Sequence, residues 1–193
     1  MEIFYTIQGE GAWSGNACYF VRMAGCDVGC VWCDVKESWD ASQFPALTTD
    51  EIIKKFETTQ CKMVVITGGE PAMYDLTDLT TGLKNKGYKV HVETSGAYEL
   101  KGDFDWVCFS PKKFKKPIEN FGAKADELKV IVFNKSDFEW AENYRKDVKE
   151  NCKLYLQPEW DKRETVKEII VDYVKNNPEW KVSLQTHKYL EIP

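Results

Sequence analysis

The chain has 193 residues, 43% hydrophobic and 30% charged, which is ordinary for one globular domain with a sizeable core, so a single domain over 1–193 is expected. Its net charge of −5 gives no electrostatic basis for holding nucleic acid, and no apolar run reaches membrane-spanning length. The seven cysteines are odd in number and three are crowded together, which argues against a secreted disulfide framework. The amino terminus lacks the basic and apolar regions of a signal peptide, so a cytoplasmic location is expected, with no membrane and no nucleic-acid partner.

Apolar runs rich in β-branched and aromatic residues recur along the chain and read as buried parallel strands. The first covers 18–22. It is followed by Gly25-Cys26-Asp27-Val28-Gly29-Cys30-Val31-Trp32-Cys33-Asp34, with thiols spaced Cys-x3-Cys-x2-Cys. A helix is expected from Thr48, where Glu51 completes a capping box and Ile52, Ile53 and Phe56 are apolar. The strand at 63–67 runs into Gly68-Gly69-Glu70-Pro71. A second helix, from about Asp75 to a stop at Gly87, carries Leu76, Leu79 and Leu83 on one face. Strands at 89–93, 106–110 and 128–133 follow, joined by loops rich in Gly, Pro and Lys. Ser136 and Glu139 open a third helix as another capping box, and 154–157 is a further strand. The last helix aligns Val166, Ile169, Ile170, Tyr173 and Val174 before Pro178, and 182–185 reads as the final strand.

Alternating strands and helices imply an α/β domain with a parallel sheet. The alternation lapses between Glu93 and Leu128, and a complete eightfold barrel needs more chain than this. The expected fold is therefore an incomplete, abridged (β/α) barrel of about six parallel strands with some helices missing. In such sheets ligands gather at the carboxyl ends of the strands. The polar segments expected to converge there are Arg22 with the cysteine loop, Thr67 to Pro71, Glu93 to Gly96, Ser110-Pro111-Lys112, Gln157-Pro158-Glu159 and Gln185-Thr186-His187.

Three local thiolates hold three irons of a [4Fe–4S] cube and leave the fourth iron open to a ligand. A structural zinc site would need a fourth protein ligand, for which His91 or His187 are the candidates. Cys18, Cys61, Cys108 and Cys152 lie in or beside strand-like runs and read as small buried hydrophobes.

Cys-x3-Cys-x-aromatic-Cys after a first strand, with Gly68-Gly69-Glu70-Pro71 after the next, resembles the radical S-adenosylmethionine enzymes. The resemblance implies that Cys26, Cys30 and Cys33 bind a [4Fe–4S] cluster whose free iron chelates S-adenosylmethionine, and that Gly68, Gly69, Glu70 and Pro71 lie beside its methionine amine. Tyr5-Thr6-Ile7-Gln8-Gly9-Glu10-Gly11, Phe20-Val21-Arg22, Thr94-Ser95-Gly96, Ser110-Pro111-Lys112, Leu156-Gln157-Pro158 and the carboxyl-terminal Gln185-Thr186-His187-Lys188-Tyr189-Leu190 narrow it. Over almost the whole chain these segments are similar to the 7-carboxy-7-deazaguanine synthase family. Those enzymes contract the ring of 6-carboxy-5,6,7,8-tetrahydropterin with loss of ammonia, on the route to queuosine.

From that resemblance, Ile7, Gln8, Gly9, Glu10, Arg22, Thr94 and the carboxylate of Pro193 would contact the pterin. Trp32, Asp34, Gly96, Ser110, Pro111, Lys112, Gln157, Pro158, Glu159 and Trp160 would surround the nucleotide. The chemistry suits these residues: Arg22 presents a planar fork to a carboxylate, Gln8 both donates and accepts, and Gly9 lets backbone approach. The family commonly has threonine two residues after the last cluster cysteine, where it helps hold magnesium. Here that residue is Val35, so Mg2+ would rest on Asp34, substrate oxygens and water, or on Glu37 or Ser38. The resemblance also implies a flavodoxin-like electron donor and a homodimer. The rival readings are a glycyl-radical-enzyme activase, which needs a large protein partner, and a zinc-stabilised interaction module.

Overall fold

The structure is a computed structural model that describes residues 2–56 and 59–193. One sheet organises it, with strands in sequence order: β1 Glu2–Ile7, β2 Ala17–Met23, β3 Met63–Gly68, β4 Lys89–Thr94, β5 Trp106–Phe109, β6 Glu127–Val132, β7 Lys153–Pro158 and β8 Trp180–Val182. β1 pairs antiparallel with β2, Glu2 opposite Arg22, and β2 through β8 run parallel. The parallel set thus has one strand more than the six expected. β1 was not expected at all, because its alternation of apolar and polar residues is interrupted by aromatics on both faces. β8 lies earlier than the expected 182–185: Trp180 is buried and pairs with Leu154, while Gln185 already leads into a short helix.

The sheet does not close, since β1 and β8 each have a single neighbour. Loops bridge the opening instead. The Gly11 amide donates to Ser183 Oγ (2.9 Å), the Ala12 amide to Glu127 Oε2 (3.1 Å) and the Thr186 amide to the Gly9 carbonyl (2.9 Å).

Four helices occupy the β–β connections, α1 Thr49–Lys54, α2 Thr77–Asn85, α3 Ser136–Arg145 and α4 Arg163–Asn176, and α5 Thr186–Leu190 follows β8. No α-helix separates β4 from β5 or β5 from β6, so the lapse in alternation is real. α1 opens on the expected Thr48–Glu51 capping box, a device contributing about 1 kcal/mol. It ends before Phe56, whose ring stacks on Tyr19 at 4.5 Å. α2 stops at a left-handed Gly87 as expected. The capping box at α3 does not form: Asp137 accepts from the Phe133 and Asn134 amides and Asn134 Oδ1 from the Ser136 amide. These acceptors satisfy the helix entrance from the preceding turn, leaving Ser136 no capping role. The core joins β2–β7 to the inner faces of the helices, with Val64, Ile66, Val90, Leu128, Val130 and Leu156 fully buried. Cys18, Cys108 and Cys152 are buried in or beside strands and Cys61 is half-buried, and all seven thiols are free.

Candidate active site at the carboxyl end of the sheet

The cysteine loop leaves the end of β2. Cys30 is buried, Cys26 and Cys33 are half-buried, and all three line one cavity of about 200 Å³. Burial pushes the Cys30 thiol up to about 11, with Lys112 opposing, and burial also raises Cys26. A thiolate here therefore needs a compensating cation, which iron would supply. The loop is clamped beside its first cysteine: Asp27 accepts from Lys115 Nζ (2.6 Å) and from the Tyr98 hydroxyl, and Lys115 also reaches that hydroxyl (2.6 Å).

The loop after β3 is zipped onto the cysteine loop through the Gly69 amide to the Met23 carbonyl (2.8 Å) and the Glu70 amide to the Gly25 carbonyl (2.9 Å). Gly68, Gly69 and Glu70 line the cavity, whereas Pro71 is buried in the turn that follows. The Glu70 carboxylate is buried and accepts from the Ala72 amide, Thr94 Oγ1, the Ser95 amide and Ser95 Oγ at 2.5–3.0 Å. Glu70 therefore braces the β3 loop against the end of β4. Thr94 lines the cavity while donating to Glu70 and accepting from the Gly96 amide (3.1 Å). Gly96 is packed against Phe109 and Phe121 behind that wall.

The opposite wall holds Trp32, Asp34, Ser110, Lys112, Gln157, Pro158, Glu159 and Trp160. Lys112 Nζ donates to the Ser110 carbonyl (2.7 Å) and to Ser110 Oγ (2.5 Å), and burial lowers its proton affinity. Glu159 caps the following turn through the Asp161 and Lys162 amides, and Gln157 accepts from Ser183 Oγ (2.7 Å). Trp160 is covered by the Arg163 guanidinium (4.1 Å) and by Lys188 (5.0 Å). Pro111 lines an adjoining apolar cavity with Val31, Phe114, Phe133 and Trp140 instead.

A second cavity of about 210 Å³ is lined by Ile7, Gln8, Gly9, Arg22, His187 and Pro193 among others. Arg22 pairs at 2.8 Å with the exposed Glu2 and lies over Phe4 at 4.9 Å. An exposed pair of this kind contributes little, so the guanidinium is available to a ligand. At Gly9 a Cβ would lie 2.1 Å from His187 Nδ1, so only glycine admits the imidazole of α5. Glu10, Asp34, Val35, Thr67, Gly68 and Glu93 line both cavities.

Beneath that shared wall lies Lys129, which the sequence reading did not single out. Its side chain is 3% exposed and its ammonium pairs with Glu10 (2.5 Å) and Glu93 (2.8 Å). Glu93 also accepts from Gln8 Nε2 (2.8 Å) and Glu10 from Gln185 Nε2 (2.9 Å). Burial alone would raise the Glu10 carboxyl, yet the charge and hydrogen bond of Lys129, with help from His187 and Gln185, hold it down at about 2. The overlooked signal is a lysine inside the apolar strand run Leu128-Lys129-Val130-Ile131-Val132. Thr67, Glu93 and Gln185 stand on the rim as expected, although no ligand was assigned to them.

The Val35 side chain offers no oxygen to a metal, and Asp34 is paired with Lys188 at 2.8 Å. Ser38 is buried and donates to the Val35 carbonyl (2.7 Å), and neither it nor the exposed Glu37 lines either cavity. Among the described residues no three His, Cys, Asp or Glu side chains gather closely enough to hold one metal ion. Zinc ligands must converge on a point, whereas three thiols that each bind a different iron need not. His91 packs against Trp13 (4.9 Å) and lines neither cavity.

Three free thiols on the loop after the first parallel strand of a partial barrel, zipped to a glycine loop after the next, define the class: a radical S-adenosylmethionine enzyme. The Radical SAM superfamily profile matches residues 20–116. A 7-carboxy-7-deazaguanine synthase of Flavobacterium psychrophilum is 55% identical over 193 residues, covering 100% of this chain and 91% of that protein. The synthase of Escherichia coli K12 is 31% identical over 218 residues, covering 99% and 97%. A crystal structure of QueE from Escherichia coli aligns with a TM-score of 0.84 at 27% identity, covering 95% of this chain and 92% of that one. The chain belongs to the 7-carboxy-7-deazaguanine synthase family. Its superfamily implies a [4Fe–4S] cluster and S-adenosylmethionine, and the residues fit both: three free thiols face one cavity, and Gly69, lacking a Cβ, lets the glycine loop close on the Gly25 carbonyl so that both loops line that cavity.

Proposed function

We propose that the protein converts 6-carboxy-5,6,7,8-tetrahydropterin to 7-carboxy-7-deazaguanine by ring contraction with loss of ammonia, in queuosine biosynthesis. The observation that carries this reading is the shared wall, where Glu10, Thr67, Gly68 and Glu93 face both the cysteine cavity and the Arg22 cavity. A substrate on one side of that wall is within reach of a nucleotide on the other. The cluster and nucleotide, when bound, supply hydrogen-atom abstraction and its return.

The chain's own residues bind and orient. Cys26, Cys30 and Cys33 hold the cluster. Trp32, Asp34, Gly68, Gly69, Ser110, Lys112, Gln157, Pro158, Glu159 and Trp160 border the nucleotide, while Glu70, Pro71, Gly96 and Pro111 shape the loops that do so. Arg22 takes the substrate carboxylate as a bidentate fork. Gln8, Gly9 and Glu10 meet the pterin edge, Ile7 and Pro193 complete its walls, and Thr94 meets the substrate from the cysteine cavity. Magnesium, in this reading, rests on Asp34, substrate oxygens and water. The chain works as one domain over 1–193, as a cytoplasmic homodimer, with a small flavodoxin-like protein reducing the cluster. No helix among the described residues is long and apolar enough to cross a membrane.

The test is anaerobic reconstitution with iron and sulfide, then incubation with reductant, S-adenosylmethionine and carboxytetrahydropterin. The deazaguanine product is expected. Reductant-dependent nucleotide cleavage without that product would overturn the substrate assignment, and a colourless protein after reconstitution would overturn the cluster.

A further inference from the structure

We propose that Lys129 is a positioning residue, a fixed cation on the floor of the site that orients the carboxylates of Glu10 and Glu93 toward the N–H edge of the pterin; this rests on the functional reading above. Lys129 rises from the middle of β6, where a neighbouring apolar residue would have sufficed for packing. Its ammonium bridges two carboxylates that arrive from different elements, Glu10 from the loop after β1 and Glu93 from near the end of β4.

Charge counting gives the cluster its ligand preference. Counted alone, the Glu10–Lys129–Glu93 group carries one negative charge in excess, and the Lys112 ammonium on the cavity wall is held to Ser110 instead of to either carboxylate, so the pair favours a donor-rich edge. Each of the four carboxylate oxygens already takes one donor, from Lys129 twice, Gln8 and Gln185. A carboxylate oxygen offers about two acceptor directions, so each retains one. Both glutamates line both cavities, so those directions are open to ligands on either side.

The same geometry excludes proton donation as the role of Lys129. Burial opposes its charge, but Glu10 and Glu93 outweigh that and hold its proton affinity well above the ordinary lysine value. A cation held so firmly is a poor acid. The other titratable groups facing the three are His187 and Lys112 toward Glu10, Lys112, Cys108 and Glu127 toward Lys129, and Cys18, His91, Cys108 and Glu127 toward Glu93. Burial raises both Cys108 and Glu127, and Glu127 is turned to the Ala12 amide and the Trp106 indole.

The test compares wild type, Lys129→Met and Lys129→Arg in reconstituted enzyme with S-adenosylmethionine, following KM, kcat and pterin binding across pH. Wild type should bind pterin without loss on the acid side down to about pH 5, because Glu10 stays ionised there. Lys129→Met should raise the pterin KM about tenfold or more with a smaller change in kcat. It should also acquire an acid limb, as a buried Glu10 no longer faced by an ammonium takes up a proton. Lys129→Arg should restore most of the flat profile. An unchanged KM, or a loss of kcat with a flat profile, overturns the proposal. Should Lys129→Met fail to fold, the charge-balanced Lys129→Met/Glu93→Gln double variant is compared with Glu93→Gln alone, and the acid limb must appear only in the double. Wild type that cleaves nucleotide without forming product overturns the functional reading instead, while pterin binding across pH still decides Lys129.

Discussion

The carbonyl oxygen of Gly25 stands where a side chain on Gly69 would begin: a Cβ there would lie 2.2 Å from it and 3.0 Å from Cys26 Cβ. Neither neighbour is the flexible end of a side chain, so an added methyl must move the cysteine loop itself. Gly69→Ala is expected to fold, because the strain falls on a loop at the rim of the sheet. It should hold less iron per chain and raise the nucleotide KM about tenfold, the scale of a small displacement at a positioned site. Iron analysis and visible absorbance after reconstitution, with KM for S-adenosylmethionine, check this. Full iron loading with unchanged KM would contradict it.

The brace on the other side of that loop is Glu70, which accepts from four donors while nearly fully buried. A glutamine at this position must aim an NH2 group at amides or hydroxyls that are themselves donors. Glu70→Gln should therefore cost about 1–3 kcal/mol, the desolvation of groups left unpaired. In a protein of this size that lowers Tm by a few degrees per kcal/mol, measured by calorimetry. Thr94→Val removes one of the four donors and leaves the other three, and should cost about 1 kcal/mol. A Glu70→Gln protein as stable as wild type would mean that the loop is held by its backbone bonds alone.

The abridged barrel was legible because its evidence is periodic. Apolar strand runs, capping signals such as Thr48 with Glu51, and the missing helices between β4 and β6 all reside in local sequence. The cysteine loop and the glycine loop were legible as motifs for the same reason. What escaped the sequence is what depends on register between distant elements. Lys129 lies 119 positions from Glu10 and 36 from Glu93: the β4–β5–β6 pairing brings Glu93 beside it, and the loop after β1, tied across the opening to Glu127, brings Glu10. The bracing role of Glu70 escaped for the same reason, since nothing local shows that Thr94 and Ser95 close over its carboxylate. The offset of β8 has a related cause: Trp180 is the anchor that buries, and one bulky side chain sets the register where a three-residue strand has little other pattern.

Away from the site, His91 is 4% exposed, lies 4.9 Å from the Trp13 ring and 6.3 Å from that of Trp106, and burial pushes its imidazole down to about 4. In the unfolded chain the same group titrates near its ordinary 6.5. Between those values the unfolded state binds a proton that the folded state refuses, so stability rises with pH across this window. The contribution is complete above about pH 6.5 and is lost as pH falls toward 4. The depression corresponds to about 3 kcal/mol at the acid end. Urea unfolding of wild type and His91→Phe at pH 7, 5.5 and 4.5 should show a steeper acid loss for wild type. Parallel curves would place the acid sensitivity elsewhere.

Val35 makes the sharpest prediction about metal. It lines both cavities beside Asp34, and it presents methyl groups where the proposed magnesium site would otherwise have a hydroxyl. Magnesium takes oxygen ligands in near-octahedral geometry and keeps several waters, so one missing hydroxyl weakens a site without abolishing it. Asp34 is meanwhile held by Lys188 at 2.8 Å, which competes with a metal for the same carboxylate. Wild type should therefore respond weakly to added magnesium. Val35→Thr is nearly the same shape, and at this half-buried position its hydroxyl remains open to solvent and ligand. It should steepen the dependence, lowering the magnesium concentration for half-maximal pterin turnover about three- to tenfold, a gain of order 1 kcal/mol. Lys188→Met, which frees Asp34, should act in the same direction, and the double variant should exceed either single change. A magnesium titration of product formation measures all four proteins, and wild type responding as steeply as Val35→Thr would mean that the metal is held by substrate oxygens and water alone.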